Sequence, residues 1–179
     1  MTKLFKTSAM LFVSALSAFI LSCELAGTDN EKKEQVATAL LFDFINYSGE
    51  ITFYVDENQE FYSSYALGFY SNLLSETWIA ANSDTIANHY IQIILGDNIK
   101  TAGNYATPAN NISIEICDGF TTTWSSDRTG GSASIAITKY GAVGDTIEGE
   151  FSGTLRNKCD CSTLKIENGK FSVKRKSDQ

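Results

Sequence analysis

The chain has 179 residues, of which 43% are hydrophobic, 12% aromatic and 20% charged, a size and apolar content that fit one folded domain and exclude global disorder. Its formal charge of -7 repels phosphates, so nucleic acid is excluded as a partner. With one proline, one histidine and no glycine-rich phosphate loop, HExxH or GxSxG pattern, most routes to an enzyme are closed, and no catalytic residue, cofactor or metal site is expected.

At the start of the chain, Lys3 and Lys6 precede an apolar run over residues 9–21 that ends in Ser22 and Cys23. A charged start before a short apolar run is the layout of a secretory signal peptide, and the run falls short of the roughly 20 apolar residues that a spanning helix needs. Ile20-Leu21-Ser22-Cys23 resembles the lipobox of bacterial lipoproteins. That resemblance implies a diacylglycerol on the Cys23 sulfur, cleavage before Cys23 and further acylation of the new amino group. Leu21 stands where a small residue is more usual, as in lipoproteins of spirochaetes and related diderms. The competing reading is cleavage after 24–27, Glu-Leu-Ala-Gly.

Each buried methylene contributes about 0.8 kcal/mol, so two or three acyl chains hold a protein to a membrane stably. Removing residues 1–22 takes away Lys3 and Lys6 and no acid, which leaves 12 basic against 21 acidic residues and a net charge of -9. The expected organisation is a signal peptide over 1–22, a lipidated N-terminus and polar tether over 23–36, and a folded domain over 37–176. Membrane lipid through Cys23 is then one partner. The expected location is the cell envelope, at the outer membrane.

Beyond the tether, apolar residues come in short runs that alternate with polar ones and are divided by Gly, Asn, Asp and Ser clusters, the pattern of half-buried strands. Strands are predicted over 40–46, 50–56, 61–69, 77–81, 89–95, 112–117, 121–124, 132–139, 146–155, 163–167 and 170–174. Residues 69–77 are compatible with strand, helix or loop, because Tyr70, Leu73, Leu74 and Trp78 have roughly helical spacing. Asn168-Gly169 supplies the two φ > 0 residues of a type I′ turn, which predicts a closing hairpin with Ile166 opposite Phe171 and Leu164 opposite Val173. With 132–139 and 146–155 it makes a four-strand meander. One apolar face needs a cover, so the predicted fold is all-β, an antiparallel β-sandwich of meander or jelly-roll type.

The segments 135–140 (IAITKY), 147–153 (IEGEFSG) and 165–171 (KIENGKF), with Trp78-Ile79-Ala80 and Gly103-Asn104-Tyr105 upstream, resemble small uncharacterised lipoproteins of diderm bacteria, of spirochaete or Bacteroidota type, over roughly the C-terminal 100 residues. The resemblance implies an all-β lipoprotein and brings no substrate, cofactor or catalytic residue.

Cys117, Cys159 and Cys161 remain besides Cys23. In an oxidising compartment the first expectation is a disulfide from Cys117 to Cys159 or Cys161, which would close a loop of about 43 residues and stabilise by about 4 kcal/mol. A Cys159–Cys161 bond comes second, and a three-thiolate metal site, with His89 as a poor fourth ligand, last. His89 reads as a strand-end residue, Asp56-Glu57 as a solvated turn, and Glu148 and Glu150 as the polar side of a strand.

Eight Tyr, eleven Phe and two Trp are the notable surplus. In Phe53-Tyr54 and Phe61-Tyr62 one ring of each pair must face outward on a regular strand. Tyr54 and Tyr62, with Trp124, are therefore candidate binding residues. The functions compatible with this pattern are contact with an envelope or host protein, or carbohydrate binding through the exposed aromatics.

Overall fold

In a computed structural model the described residues are 49–85, 89–118 and 122–178. The segments expected as signal peptide and tether, with Cys23 and the strand predicted over 40–46, lie outside them. The described residues belong to one compact unit, Tyr47–Gln179, and are all-β, with no α-helix among them. The strands are β1 (Gly49–Val55), β2 (Gln59–Ser63), β3 (Ala66–Ser71), β4 (Glu76–Asn82), β5 (His89–Leu95), β6 (Gly103–Ala106), β7 (Ile112–Asp118), β8 (Thr122–Ser125), β9 (Ser132–Tyr140), β10 (Thr146–Asn157) and β11 (Thr163–Lys174).

All eleven join one antiparallel sheet whose main path runs β2-β1-β11-β10-β8-β7-β5-β4-β3, and β10 also carries a side arm of β9 and then β6. The branch arises because β10 is long. Residues Ile147 to Thr154 pair with β9, whereas Arg156 and Asn157 pair with β8. The path then curls back on itself. Parallel bridges join Gly49 to Tyr65 and Gly68 to Arg175, and Lys176 N–H donates to Gly68 O at 2.8 Å, so the sheet is nearly a barrel.

The alternating strands turn their apolar residues inward as the pattern requires. Ile91, Ile93 and Leu95 of β5 lie opposite Ile116, Ile114 and Ile112 of β7, and all six are buried in the same core. At the other side Phe53 stacks on Phe61 with centroids 4.5 Å apart and meets Phe151 edge-on at 5.7 Å, while Phe151 lies 6.2 Å from Phe171. Such pairs contribute about 0.5–1.5 kcal/mol each beyond area burial. Strand β3 is buried at every residue and β4 and β5 at all but two each. Both faces of these strands are covered, which explains their near-continuous apolar runs.

Three expectations from the sequence change. The hairpin at Asn168-Gly169 is not formed: β11 is one continuous strand between β1 and β10. A type I′ turn needs φ > 0 at both central residues, but here Asn168 has φ +52 and Gly169 does not take a positive φ. The extra residue is absorbed as a bulge, where Gly169 pairs with Phe151 and Ile166 with Gly153. The predicted strand 61–69 is divided into β2 and β3, and 69–77 is the β3–β4 hairpin, turning at residues 72–75 with Ser75 at φ +58. Strand β6, unforeseen in the sequence, pairs with β9 from Gly103↔Ile137 to Ala106↔Ser134.

Candidate functional site

The β1–β2 hairpin turns through Asp56 and Glu57, at φ +48 and +66, with Asn58 N–H donating to Val55 O at 3.2 Å. The two positive φ values and this bond are those of a type I′ turn, formed without glycine. Lys165 N–H donates to Asp56 Oδ1 at 2.9 Å, which ties the turn to β11. Phe53 and Phe61 are paired and buried, so Tyr54 and Tyr62 stand on the opposite face.

Tyr54 pairs with Glu60 and Tyr62 with Thr52, a diagonal placement that separates the two tyrosines by about 7–8 Å. Tyr54 is 38% exposed and Tyr62 half-buried. At the base of the same hairpin Tyr65 is 56% exposed, more than any other large apolar side chain among the described residues. Sequence reasoning missed Tyr65, since it sits in the break between β2 and β3.

The outer edge of β2 is not left open. Asp84 N–H donates to Tyr62 O at 2.7 Å, and Thr85 Oγ1 donates to Glu60 O at 3.1 Å and accepts from Tyr62 N–H at 3.2 Å. A capped edge cannot readily add a further strand. What the hairpin offers to a partner is thus its side-chain face.

Trp124 is not part of that face. It pairs with Ile116 of β7 and packs half-buried against the core, on the inward side of β8. No protein family, curated protein or solved structure matches the chain. The side chains therefore carry the functional reading unaided.

The expected long-loop disulfide is absent. Cys159 and Cys161 are both free and exposed, so neither the bridge to Cys117 nor the Cys159–Cys161 bond is formed. The topology gives the reason for the first. Cys117 is buried on β7, and β8 lies between β7 and β10. Two strand spacings of about 4.7–4.9 Å each exceed the 4.4–6.8 Å that disulfide Cα atoms span. The loop after β10 is held instead by Asn157 Oδ1, which accepts from Cys159 N–H at 2.7 Å, and by Asp160 Oδ1, which accepts from Ser162 N–H at 2.8 Å. The bonds from Ser162 hold the Asp160 carboxyl below its ordinary pKa.

His89 opens β5, half-buried, as a strand-end residue. Glu148 and Glu150 face away from the core and take part in surface pairs. Lys139 Nζ lies 2.9 Å from Asp145 Oδ1 and 3.8 Å from Glu148 Oε1, and Lys170 Nζ 3.9 Å from Glu150 Oε1. Hydrogen bonding to Asp145 raises the Lys139 pKa, and the same bond lowers that of Asp145. Exposed pairs of this kind contribute little to stability.

A cleft of about 710 Å³ is lined by Asp97, by the turn 107–111, and by Ser126, Asp127 and Arg128 after β8. Its polar residues are spread over three connections, so no local motif announces it. Arg128 Nε is shielded from solvent and has no hydrogen-bond acceptor.

Proposed function

We propose that the protein is a lipid-anchored component of the cell envelope whose β domain is non-catalytic and works by contact with another envelope or host protein. Anchoring rests on Ile20-Leu21-Ser22-Cys23 after an apolar run with Lys3 and Lys6 at its head. Contact rests on the hairpin face: Tyr54 and Tyr65 are exposed, whereas the other described aromatic rings are buried or half-buried, and aromatic side chains on a rigid element are the residues that dominate protein interfaces. In this reading the two arms that meet at β10 act as the two layers of a sandwich. The tyrosine face is then one surface of the first layer, and the outer membrane is the site of anchorage.

Two measurements test it. Intact-protein mass spectrometry of the membrane fraction should find a mature chain beginning at Cys23 and carrying acyl mass, and Cys23→Ala should accumulate as an unacylated precursor. Photo-crosslinking from position 62 in intact cells should yield a discrete protein adduct that is lost in Tyr54→Ala/Tyr65→Ala. A mature N-terminus elsewhere overturns the anchor, and an adduct indifferent to both tyrosines overturns the contact face.

A further inference from the structure

Three connections and the tail of the chain meet at the end of the sheet where β1 begins. Gly49, the first described residue, pairs with Val173, and Thr146 pairs with Lys174, so the β9–β10 turn, 141–145, stands beside residues 175–178. Gly144 N–H donates to Arg175 O at 2.8 Å, Arg175 N–H to Asp145 O at 2.7 Å, and the Arg175 guanidinium to Gly141 O at 3.0 Å. The β3–β4 turn, 72–75, reaches the same end, because β3 runs parallel to the last residues of the chain from the bridge Gly68↔Arg175. Residues 97–100 tie it there: Asn98 N–H donates to Ser75 O at 3.0 Å and Tyr70 OH to Asn98 Oδ1 at 2.6 Å. Thr77 closes the ring, its Oγ1 donating to Ile99 O and touching Tyr140 OH.

The tips of these fixed turns are apolar. Leu73 is 46% and Val143 54% exposed. Single exposed apolar residues are ordinary on a protein surface, but these are gathered. Of the four exposed large apolar side chains among the described residues, only Tyr54, near the β1–β2 turn, lies away from this end. Tyr65 is bridged to Gly49 and stands at its margin, where the tyrosine face begins. Charge is balanced here as well. Lys139 pairs with Asp145 and Arg175 with Asp178, and Lys100, Lys174 and Lys176 offset Glu50, Glu76 and Asp97. This end is therefore close to neutral in a mature chain of net charge -9, and anionic headgroups do not repel it.

The course of the chain selects the occupant. The segment that carries Cys23 enters the described domain at Gly49, so an anchor on Cys23 leads to the bilayer from the end that bears Leu73 and Val143. Anchoring also raises the local concentration of the membrane, so that two inserted side chains suffice to hold an orientation. We propose that this end of the domain rests on a phospholipid surface, with Leu73 and Val143 inserted at the boundary between headgroups and acyl chains. The inference rests on the lipid anchor at Cys23 and adds an orientation to it: the β1–β2 hairpin rises from the membrane, with Asp56 and Glu57 at its far tip.

The test uses the mature chain in vesicles of phosphatidylethanolamine and phosphatidylglycerol, with and without bromine on the acyl chains, since bromine quenches tryptophan at the depth it occupies. Leu73→Trp, Val143→Trp and, at the far end, Gln59→Trp are compared with the parent, whose Trp78 and Trp124 supply the background. All three positions lie at the surface, so the fold bears the substitutions. Leu73→Trp and Val143→Trp should each show a blue-shifted maximum and a loss of emission in the brominated vesicles beyond that of the parent, and Gln59→Trp neither. Mass spectrometry of the same samples reads the acyl mass on Cys23. With that mass present, quenching at 73 and 143 no greater than in the parent, or equal quenching at 59, overturns the orientation and leaves the anchor standing. A chain without acyl mass on Cys23 overturns the anchor and this inference with it.

Discussion

Gly169 provides a substitution whose sign tests the course of β11. It is buried and pairs with Phe151 across β10. On backbone entropy alone, replacing a strand glycine by alanine stabilises by about 0.5–1 kcal/mol. No unusual φ opposes that gain here. Contact does: an added Cβ would lie 2.6 Å from Phe151 O and 2.7 Å from both Cδ atoms of its ring, against about 3.5–4.0 Å for relaxed carbon contacts. Forcing an extra carbon into a packed core costs about 1–3 kcal/mol. Gly169→Ala should therefore destabilise by a net of about 1–2 kcal/mol, at about 2–4 °C of Tm per kcal/mol for a chain of this size. Urea unfolding should show a lower midpoint at an unchanged slope. A midpoint at or above that of the parent would refute the contact, since a glycine at the tip of an exposed hairpin has no ring to strike, and the continuous strand would fall with it.

Three further outcomes follow from the same geometry. Asn168, at φ +52, should tolerate Asn168→Gly within a few tenths of a kcal/mol, whereas Asn168→Val should lose about 1–2 kcal/mol, both read as urea midpoints. Thr77 is fully buried, its Oγ1 donating to Ile99 O at 2.8 Å and lying 2.7 Å from Tyr140 OH; Thr77→Val strands both partners and should cost about 1–3 kcal/mol by the same assay. Burial pushes the Tyr90 phenol far above its ordinary value, and the Glu115 charge adds in the same direction. A raised folded pKa means stability that is complete below the unfolded value of about 10 and is lost as pH rises above it. Tyr90→Phe should thus lose less of its thermal midpoint between about pH 8 and pH 11 than the parent chain does.

The sequence made the alternating strands plain because one face of each meets the core. Phe53 with Tyr54 and Phe61 with Tyr62 separate inward and outward rings as expected. The closing hairpin shows where pattern runs out. Ile166 and Phe171 share the buried face, and an even-to-odd switch of apolar positions is produced equally by a two-residue turn and by a one-residue bulge. Only the partners decide between them, and β1 and β10 flank β11 along nearly its whole length. Local propensity could not weigh those two long ladders against one tight turn. In the β3–β5 region the ambiguity has another source: with both faces buried, Tyr70 and Trp78 lose the period that marks a half-buried strand, and their spacing mimics a helix. Strand β6 was silent because only Tyr105 in it packs against the core.

The same physics explains why the tyrosines were legible and the cleft was not. Adjacent rings on one strand force an outward member by geometry, so Tyr54 and Tyr62 follow from period two alone. Asp97, Asn110, Asn111 and Arg128 lie in three connections, and nothing in their local sequence fixes which loops meet. They meet because β5 and β7 are neighbours, which sets residue 97 at the end of one strand beside residue 111 before the next. They meet also because Ser126, just past β8, locks back onto Ile114. Each tie is a long-range consequence of strand order. Strand order alone thus brings polar residues of three connections to one surface, and no local pattern in any of the three connections could have shown it.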